Sequence, residues 1–182
     1  MSKIHTLVTE RLILRPWKEE DIEPFARLNQ DPLVMQYFPG LKTRAETEEM
    51  VKLFMQRIEE FGWGLWAAAL RESDTFIGFI GLQHVYFTAP FTPAVEIGWR
   101  LAQAYWGKGY ATEGAKACLK FAFETIHLDE IVSFTSVQNM RARAVMERIG
   151  MHHNHADDFD HPNLPKDHPL CRHVLYRKKR SE

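Results

Sequence analysis

The sequence predicts a mixed α/β fold in which a central, mostly antiparallel sheet of six to seven strands is flanked by about four helices. Two observations carry this prediction. Short apolar runs separated by turn residues follow one another between residues 65 and 101, which is typical of a meander of hairpins. From residue 105 onward, segments with helical spacing of apolar residues alternate with strand-like runs. No repeat, low-complexity segment or linker interrupts the sequence, so we expect one domain, 1–182, with a core of about 9–178.

The first third of the chain is predicted to form one strand and two helices. Leu12 and Leu14 alternate with Arg11, Ile13 and Arg15, the pattern of a partly buried strand, and residues 19–28 follow as a short helix. A longer helix begins at the capping-box pair Thr43 and Glu46 and ends at Gly62. Its apolar face is expected to consist of Met50, Val51, Phe54, Met55, Ile58 and Phe61.

The later elements are predicted in the order strand, strand, strand, helix, strand, helix and strand. The second of these helices is capped by Asn139 and followed by Gly150. We expect the seven elements at residues 65–70, 76–85, 94–101, 111–126, 130–137, 140–149 and 170–177.

Composition narrows the class of protein. Hydrophobic residues make up 45% and charged residues 26% of the 182 residues, as in an ordinary globular domain. The formal net charge of -1 argues against nucleic acid or an anionic membrane as a partner. No apolar run approaches the roughly 20 residues of a membrane span. Two cysteines form no disulfide framework, so a cytoplasmic setting is expected.

The segment from Tyr105 to Thr112 is the most informative part of the sequence. It places a lysine between Gly107 and Gly109, where a strand-like run meets a helix-like run. Such a loop directs free backbone N–H groups to one point, where the helix dipole adds positive potential, and it is therefore expected to bind phosphate. A Walker loop is excluded by alanine at position 102, and a dinucleotide fingerprint lacks its third glycine at 112. A turn that only joins strand to helix is the remaining alternative.

Four ordered segments carry a resemblance to a known family. They are Val95–Leu101, Tyr105–Glu113, Asn139–Met151 and the opening Thr9–Pro16. In order and spacing they resemble the GNAT superfamily of N-acetyltransferases, in particular its RimJ/RimL-like branch, over about Thr9–Lys178. The resemblance implies a GNAT-like sheet that is splayed between its fourth and fifth strands, where acetyl-CoA enters as the cosubstrate.

The resemblance also implies a set of cosubstrate contacts. The pyrophosphate of CoA would lie on the backbone N–H groups of residues 106–111, and the pantetheine arm would pair with residues 99–101. Asn139 would hold the arm from the other side, in addition to its plainer role as a helix cap. The side chain of Lys108 either adds charge or points to solvent. The expected contacts are Trp99, Arg100, Leu101, Trp106, Gly107, Lys108, Gly109, Tyr110, Ala111, Thr112 and Asn139.

Glu96 is the predicted general base. Strand alternation places Val95 and Ile97 on one face of the strand, and Glu96 and Arg100 on the other. A carboxylate beside the thioester could accept the amine proton directly or through water. The alternative is a surface carboxylate that pairs with Arg100.

The general acid is less well defined, and so is the acceptor pocket. Many family members carry Tyr where Met146 stands and RimJ/RimL-like members often carry Ser where Ala142 stands, so both hydroxyls are missing. Protonation of the thiolate then depends on water, on a loop histidine or on Tyr176. The residues expected to line the acceptor pocket are Tyr37, Phe38, Trp66 and His84.

Histidines and aspartates are concentrated between residues 152 and 168. Such donors could bind zinc or nickel, although no pair has helical i,i+4 spacing. A solvated loop is the plainer interpretation, and no metal cofactor is expected. A third possibility is that Asp157, Asp158 and Asp160 attract a cationic amine.

The resemblance implies an N-acetyltransferase that moves the acetyl group of acetyl-CoA to a primary amine by direct attack in a ternary complex. The acceptor would be a protein N-terminal α-amine or a small-molecule amine, and the protein a monomer or homodimer. The alternative is a catalytically weak CoA-binding or regulatory module of the same fold.

Overall fold

A computed structural model describes residues 2–182, whose strands form one mixed sheet. The strands are β1 (Leu7–Val8), β2 (Leu12–Arg15), β3 (Leu65–Leu70), β4 (Phe76–His84), β5 (Val95–Leu101), β6 (Glu130–Ser136), β7 (His152–His153), β8 (Phe159–Asp160) and β9 (Arg172–Lys179). The α-helices are α1 (Ile22–Asn29), α2 (Arg44–Phe61), α3 (Tyr110–Glu124) and α4 (Met140–Arg148).

The sheet is splayed at its one parallel pair. The strand order is β1-β2-β3-β4-β5-β6-β9-β7, and β8 also pairs with β9. Neighbouring strands are antiparallel except β5 and β6, which pair only at Glu96 and Val132. Beyond this pair the two strands diverge, so residues 98–101 of β5 have no ladder partner in β6. The predicted mixed α/β fold is confirmed. The fourth and fifth predicted strands, between which the splay was expected, are β5 and β6 in the structure, because β1 precedes the predicted first strand.

The helices cover both faces of the sheet. Phe79 of β4 meets Phe25 of α1 and Phe54 of α2, with ring centroids 6.0 and 5.6 Å apart. Ile80 points to the opposite face. There Gly114 of α3 packs so closely that an added Cβ would lie 2.5 Å from Ile80 Cδ1. Helices α1 and α2 therefore lie on one face, and α3 lies on the other.

Local signals account for most element boundaries. The capping box of α2 is confirmed: Thr43 Oγ1 accepts the Glu46 N–H at 3.1 Å, and the Glu46 carboxylate accepts the Thr43 N–H at 2.9 Å. The predicted helix 19–28 differs, because it begins as a 3₁₀ turn and α1 starts only at Ile22. The side chain of Asp21 accepts a backbone N–H from the residue three positions earlier, which tightens this turn.

Three strands were missed, namely β1, β7 and β8. Each has two residues, too few for a periodic pattern, and each forms only by pairing with β2 or β9. The predicted proline-bearing loop before the last strand therefore contains two strands. Both cysteines are buried and free. None of the helices in residues 2–182 combines the length and apolar character that crossing a membrane requires.

Candidate active site

A cavity of about 690 Å³ lies between the end of β5 and α4, beyond the point where β5 and β6 separate. Cavities of this size are typical of small-molecule sites. The segment between α1 and α2 closes one side of it through Val34, Tyr37 and Phe38. The predicted cosubstrate contacts that line it are Trp99, Arg100, Leu101, Trp106, Gly107, Gly109, Tyr110, Ala111, Thr112 and Asn139.

The glycine loop presents free backbone donors to this cavity. Gly107 and Gly109 adopt φ angles of 72° and 81°, in the left-handed region that favours glycine. Within residues 2–182, the N–H groups of residues 107–112 have no hydrogen-bond acceptor. The N–H of Trp106, by contrast, donates to the Gln103 carbonyl oxygen at 3.1 Å. Trp106 lines the cavity, but its amide is not one of the free donors.

A distant arginine holds the loop in place. Arg11 Nη1 donates to the Lys108 carbonyl oxygen at 2.9 Å, and Arg11 Nε pairs with Glu113 Oε1 at 2.7 Å. Thr9 Oγ1 donates to the other oxygen of Glu113 at 2.6 Å. The Arg11 guanidinium also lies over the Tyr110 ring, 4.3 Å from its centroid. The turn between β1 and β2 thereby fixes both the loop and the first turn of α3.

Basic side chains surround the loop. Arg141 lies over the indole of Trp106, 3.5 Å from the ring centroid, and the indole N–H donates to the Leu101 carbonyl oxygen at 2.9 Å. Lys116 of α3 and Arg148 of α4 also line the cavity. Sequence reasoning missed these three cations. The spacing of 141 and 148, two turns apart on one helix, was a signal that could have indicated them.

The free edge of β5 faces the gap. The Ile97 carbonyl oxygen accepts a hydrogen bond from Ser133 Oγ at 2.9 Å, and the Leu101 carbonyl oxygen accepts the Trp106 indole N–H. Because alternate residues of a strand direct their backbone groups to the same edge, the N–H and C=O of Trp99 also point into the gap.

Asn139 lies across the cavity from this edge. Its Oδ1 accepts the Ala142 N–H at 3.2 Å, which confirms the predicted helix cap. Its Nδ2 donates to Thr135 Oγ1 at 2.9 Å, and the amide carries a second N–H. A cosubstrate contact through that N–H stays a prediction.

Glu96 lies where β5 last pairs with β6 and is half-buried. Its carboxylate accepts a hydrogen bond from Gln83 Nε2, and Gln83 Oε1 accepts one from Arg57 Nη1 at 3.0 Å. Burial raises the pKa of Glu96 to about 7, against the opposing effects of the Gln83 hydrogen bond and the Arg57 charge. Arg100 does not pair with Glu96; its Nη1 donates to Asn29 Oδ1 at 2.8 Å. The carboxylate can therefore change its protonation state near neutral pH.

Comparison with known proteins identifies the family. A family model described as an acetyltransferase (GNAT) domain matches residues 11–152. The chain belongs to the GNAT acetyltransferase family. It is therefore an N-acetyltransferase, an acyltransferase whose cosubstrate is acetyl-CoA and whose acceptors are amines.

Relatives and solved structures agree with this family. The uncharacterized protein YkkB of Bacillus subtilis is 34% identical over 149 residues, which cover 81% of this chain and 86% of YkkB. The FsC-acetyl coenzyme A-N(2)-transacetylase of Aspergillus fumigatus is 34% identical over 155 residues, covering 81% of this chain and 65% of that protein. A GNAT-family acetyltransferase structure from Bacillus anthracis superposes with a TM-score of 0.81 at 28% identity, covering 98% of this chain and 100% of that one.

The residues around the cavity fit acetyl-CoA, which supplies an activated acetyl group when bound. The free N–H groups of 107–112, at the start of α3, suit the pyrophosphate. Arg141, Arg148 and Lys116 add the positive charge that phosphates require. The open edge of β5 offers backbone partners to the amides of the pantetheine arm. Lys108 is not among the lining residues of the described part of the chain.

The candidate acids lie away from the free donors. Tyr176 is 1% exposed and is not among the cavity-lining residues of the described chain. Its hydroxyl donates to Glu147 Oε1 at 3.1 Å and accepts from Arg143 Nε at 3.3 Å. Met146 is buried, and Ala142 lines the cavity without offering a hydroxyl. A role for Tyr176 as the acid stays a prediction, and water is the simpler proton donor.

The predicted acceptor residues divide into two groups. Tyr37 and Phe38 line the cavity. Trp66 is fully buried and donates its indole N–H to the His5 carbonyl oxygen at 2.9 Å, so here it offers no surface to an acceptor. His84 packs against aromatic rings at the end of α2, and burial lowers its pKa. The residue type alone could not show which of these side chains lie in the core and which line the pocket.

The histidine-rich segment folds against β9. His153 Nε2 and Asp158 Oδ1 lie 2.7 Å apart, and one ligand atom each from His153, His155 and Asp158 lies within 4.8 Å of the others. This set could hold a cation, but the close His153–Asp158 pair already occupies two of its atoms. Asp157 pairs with Arg177 at 3.0 Å. Because these carboxylates have basic partners, the structure gives no support to their attracting an acceptor amine.

Proposed function

We propose that the enzyme transfers the acetyl group directly to a primary amine in a ternary complex, with Glu96 as the general base. The observation that carries the proposal is the position of Glu96 at the narrow end of the gap, on the strand whose end lines the cavity. A carboxyl group with a pKa of about 7 is ionised in a large fraction of molecules at neutral pH and accepts a proton readily.

The proton and electron flow is simple. The neutral amine attacks the thioester carbonyl, the C–N bond forms and the C–S bond breaks. The amine proton passes to Glu96, directly or through water, and the thiolate takes a proton from water. The Trp99 N–H, which points into the gap, is the donor we assign to the developing oxyanion.

The two cysteines favour direct transfer. Cys118 and Cys171 are buried, and neither is among the cavity-lining residues of the described chain. Burial raises the pKa of the Cys118 thiol, which keeps it protonated and inert. A covalent cysteine intermediate is therefore not part of the proposal. Reduced, buried thiols also suit the cytoplasm as the place of action.

We propose a protein N-terminal α-amine as the first acceptor class and a small-molecule amine as the second. The resemblance to the RimJ/RimL-like branch supports the first. Removing a proton at pH 7 costs about 1 kcal/mol for an α-amine but roughly 4–5 kcal/mol for a lysine side chain. One partly buried carboxylate suits the easier of these two deprotonations.

The second candidate function is a CoA-binding module with weak catalysis, which the absence of a hydroxyl at Ala142 and Met146 favours. One experiment separates the two functions. Purified protein is mixed with acetyl-CoA and a panel of peptides and small amines, and free thiol is measured together with the mass of the acceptor. The proposal requires amine-dependent thiol release and an acetylated product. Thermal stabilisation by acetyl-CoA with thiol release at the rate of buffer alone would favour the module.

A further inference from the structure

Arg100 lies on the acceptor side of β5. It pairs across the ladder with Phe79, which packs on α1 and α2, and it shares this face with Gly98 and Glu96. Its side chain contacts Asn29 of α1 and the ring of Phe38. Because the neighbouring residue Trp99 directs its backbone to the gap, the same strand can serve acetyl-CoA with its main chain and a second ligand with this face.

The guanidinium of Arg100 has no anionic partner. No carboxylate of residues 2–182 lies within ion-pair distance of it, and its one hydrogen bond goes to the neutral amide of Asn29 at 2.8 Å. The Nε atom is buried without any hydrogen-bond partner. The rings of Phe38 and Phe79 lie 4.3 and 5.3 Å from the guanidinium carbon. An unpaired cation in apolar surroundings is costly, and burial accordingly lowers its pKa to about 10.

Arg100 lines the same cavity as the cations around the glycine loop, but it belongs to a different element, strand β5. The cations beside the free N–H groups of 107–112 are Arg141, Arg148 and Lys116, on α4 and α3. Arg100 instead faces α1 and α2, together with the cavity-lining Phe38. Phe38 is 38% exposed, and its ring lies 4.3 Å from the guanidinium carbon.

The backbone of Gly98, which lies between Glu96 and Arg100 on the same face, is uncovered: a Cβ added there would meet nothing within 4 Å. The Cα atoms of residues 96 and 100 are about 13 Å apart at 3.3 Å for each strand residue. A small acceptor above Gly98 would therefore lie between these two residues.

We propose that the acceptor carries a carboxylate which pairs with Arg100 while its amine lies above Gly98, within reach of Glu96. This inference rests on the proposed acetyl transfer and narrows its substrate to amines that bear an anionic group a few atoms away. The planar guanidinium suits a carboxylate, because the two groups can form parallel hydrogen bonds. The carboxylate belongs either to a free amino acid or to an acidic side chain near a peptide N-terminus.

Matched acceptors test the proposal. Glycine is compared with glycinamide, β-alanine with its amide, and peptides with glutamate at the second position with peptides carrying glutamine there, each at equal concentrations of the neutral amine. In at least one of these pairs we expect the acceptor with the carboxylate to have about a 10- to 100-fold higher kcat/KM than its amide, as for a charge-assisted hydrogen bond. The amino-acid pairs and the peptide pair distinguish the two sources of the carboxylate.

Variants then assign this preference to Arg100. In Arg100→Met the preference should fall to about onefold, and in Arg100→Lys it should be intermediate. Arg27→Met, a matched change of an exposed arginine on α1, should keep the preference. Circular dichroism establishes whether each variant is folded. If Arg100→Met does not fold, Arg100→Lys still tests the preference, because it retains the positive charge.

The outcomes separate this inference from the proposed function. Equal kcat/KM for carboxylate and amide in every pair would overturn it while leaving acetyl transfer intact. A raised KM for acetyl-CoA in Arg100→Lys with unchanged acceptor preference would overturn it in favour of a cosubstrate role. Absence of thiol release with every acceptor would instead refute the proposed function.

Discussion

Replacing Glu96 by glutamine tests the general base most directly, because the amide keeps the shape of the side chain and cannot accept the proton. With a pKa of about 7, Glu96 is about one-tenth ionised at pH 6 and about nine-tenths ionised at pH 8. For an acceptor whose amine is neutral across this range, kcat/KM should therefore rise about tenfold between these pH values. In Glu96→Gln the rate should drop sharply and lose this dependence.

The raised pKa of Glu96 also predicts that the free energy of unfolding falls as the pH rises. Burial raises the pKa of Glu96 from 4.5 to about 7, so between these values the folded protein holds a proton that the unfolded chain has lost. The contribution of Glu96 to the free energy of unfolding is thus greatest below about pH 4.5 and is lost as the pH rises through 7. At about 1.4 kcal/mol for each tenfold change in proton affinity, the loss is on the order of 3 kcal/mol.

Two assays measure these effects. Steady-state rates are determined from thiol release between pH 6 and 8, and urea unfolding is followed between pH 5 and 8 for the wild type and Glu96→Gln. Glu59→Gln, a change of an exposed glutamate on α2, is the matched control and should alter neither profile. Retention of the wild-type rate and its pH dependence in Glu96→Gln would refute the assignment of the base.

Two further predictions concern the base and the core, and one concerns the loop. Gln83→Leu removes the hydrogen bond that stabilises the ionised form of Glu96, so the pKa obtained from the rate profile should rise above 7; an unchanged profile would show that Gln83 does not tune the base. Asp21→Asn weakens the buried pair with Arg15 at 2.8 Å, while Arg15 keeps Asp74 at 2.9 Å; it should cost about 2 kcal/mol in urea unfolding, and an unchanged stability would contradict a contribution of the pair. Gly109→Ala forces a Cβ onto a φ of 81°; we expect about 1 kcal/mol less stability and weaker acetyl-CoA binding by calorimetry, and unchanged affinity would count against the loop as the pyrophosphate site.

Much of the fold could be predicted because its signals are local. The capping box of α2, the asparagine cap of α4 and the periodicity of β3 to β6 each involve residues within a few positions of one another. The free N–H groups of the glycine loop follow for the same reason, since the first turn of any helix leaves its donors unpaired. The two-residue strands could not be predicted, because their pairing partners lie elsewhere in the chain.

The site depended on contacts between distant residues. Trp66 and Tyr37 are both aromatic, yet only Tyr37 lines the cavity, and nothing in either residue type indicates this difference. The identity of Glu96 as the candidate base came from strand alternation and family resemblance. Its pKa of about 7 results from burial, which raises the pKa, and from Gln83 and Arg57, which oppose this increase. No spacing rule connects these two residues to Glu96.

The sequence by itself determined the fold class, the glycine loop with its unpaired donors and the membership of an N-acetyltransferase family, because glycine, capping residues and periodicity act over short distances. Only the tertiary structure decided how the loop is held and which charges lack a partner. Arg11 reaches the Lys108 carbonyl across 97 positions of the chain, and Arg100 lacks an anionic partner among the described residues because α1 and β4 bring the neutral Asn29 and Phe79 to it. Such contacts depend on the packing of whole elements, and the free energy of burying or pairing a charge is set only once those elements are assembled.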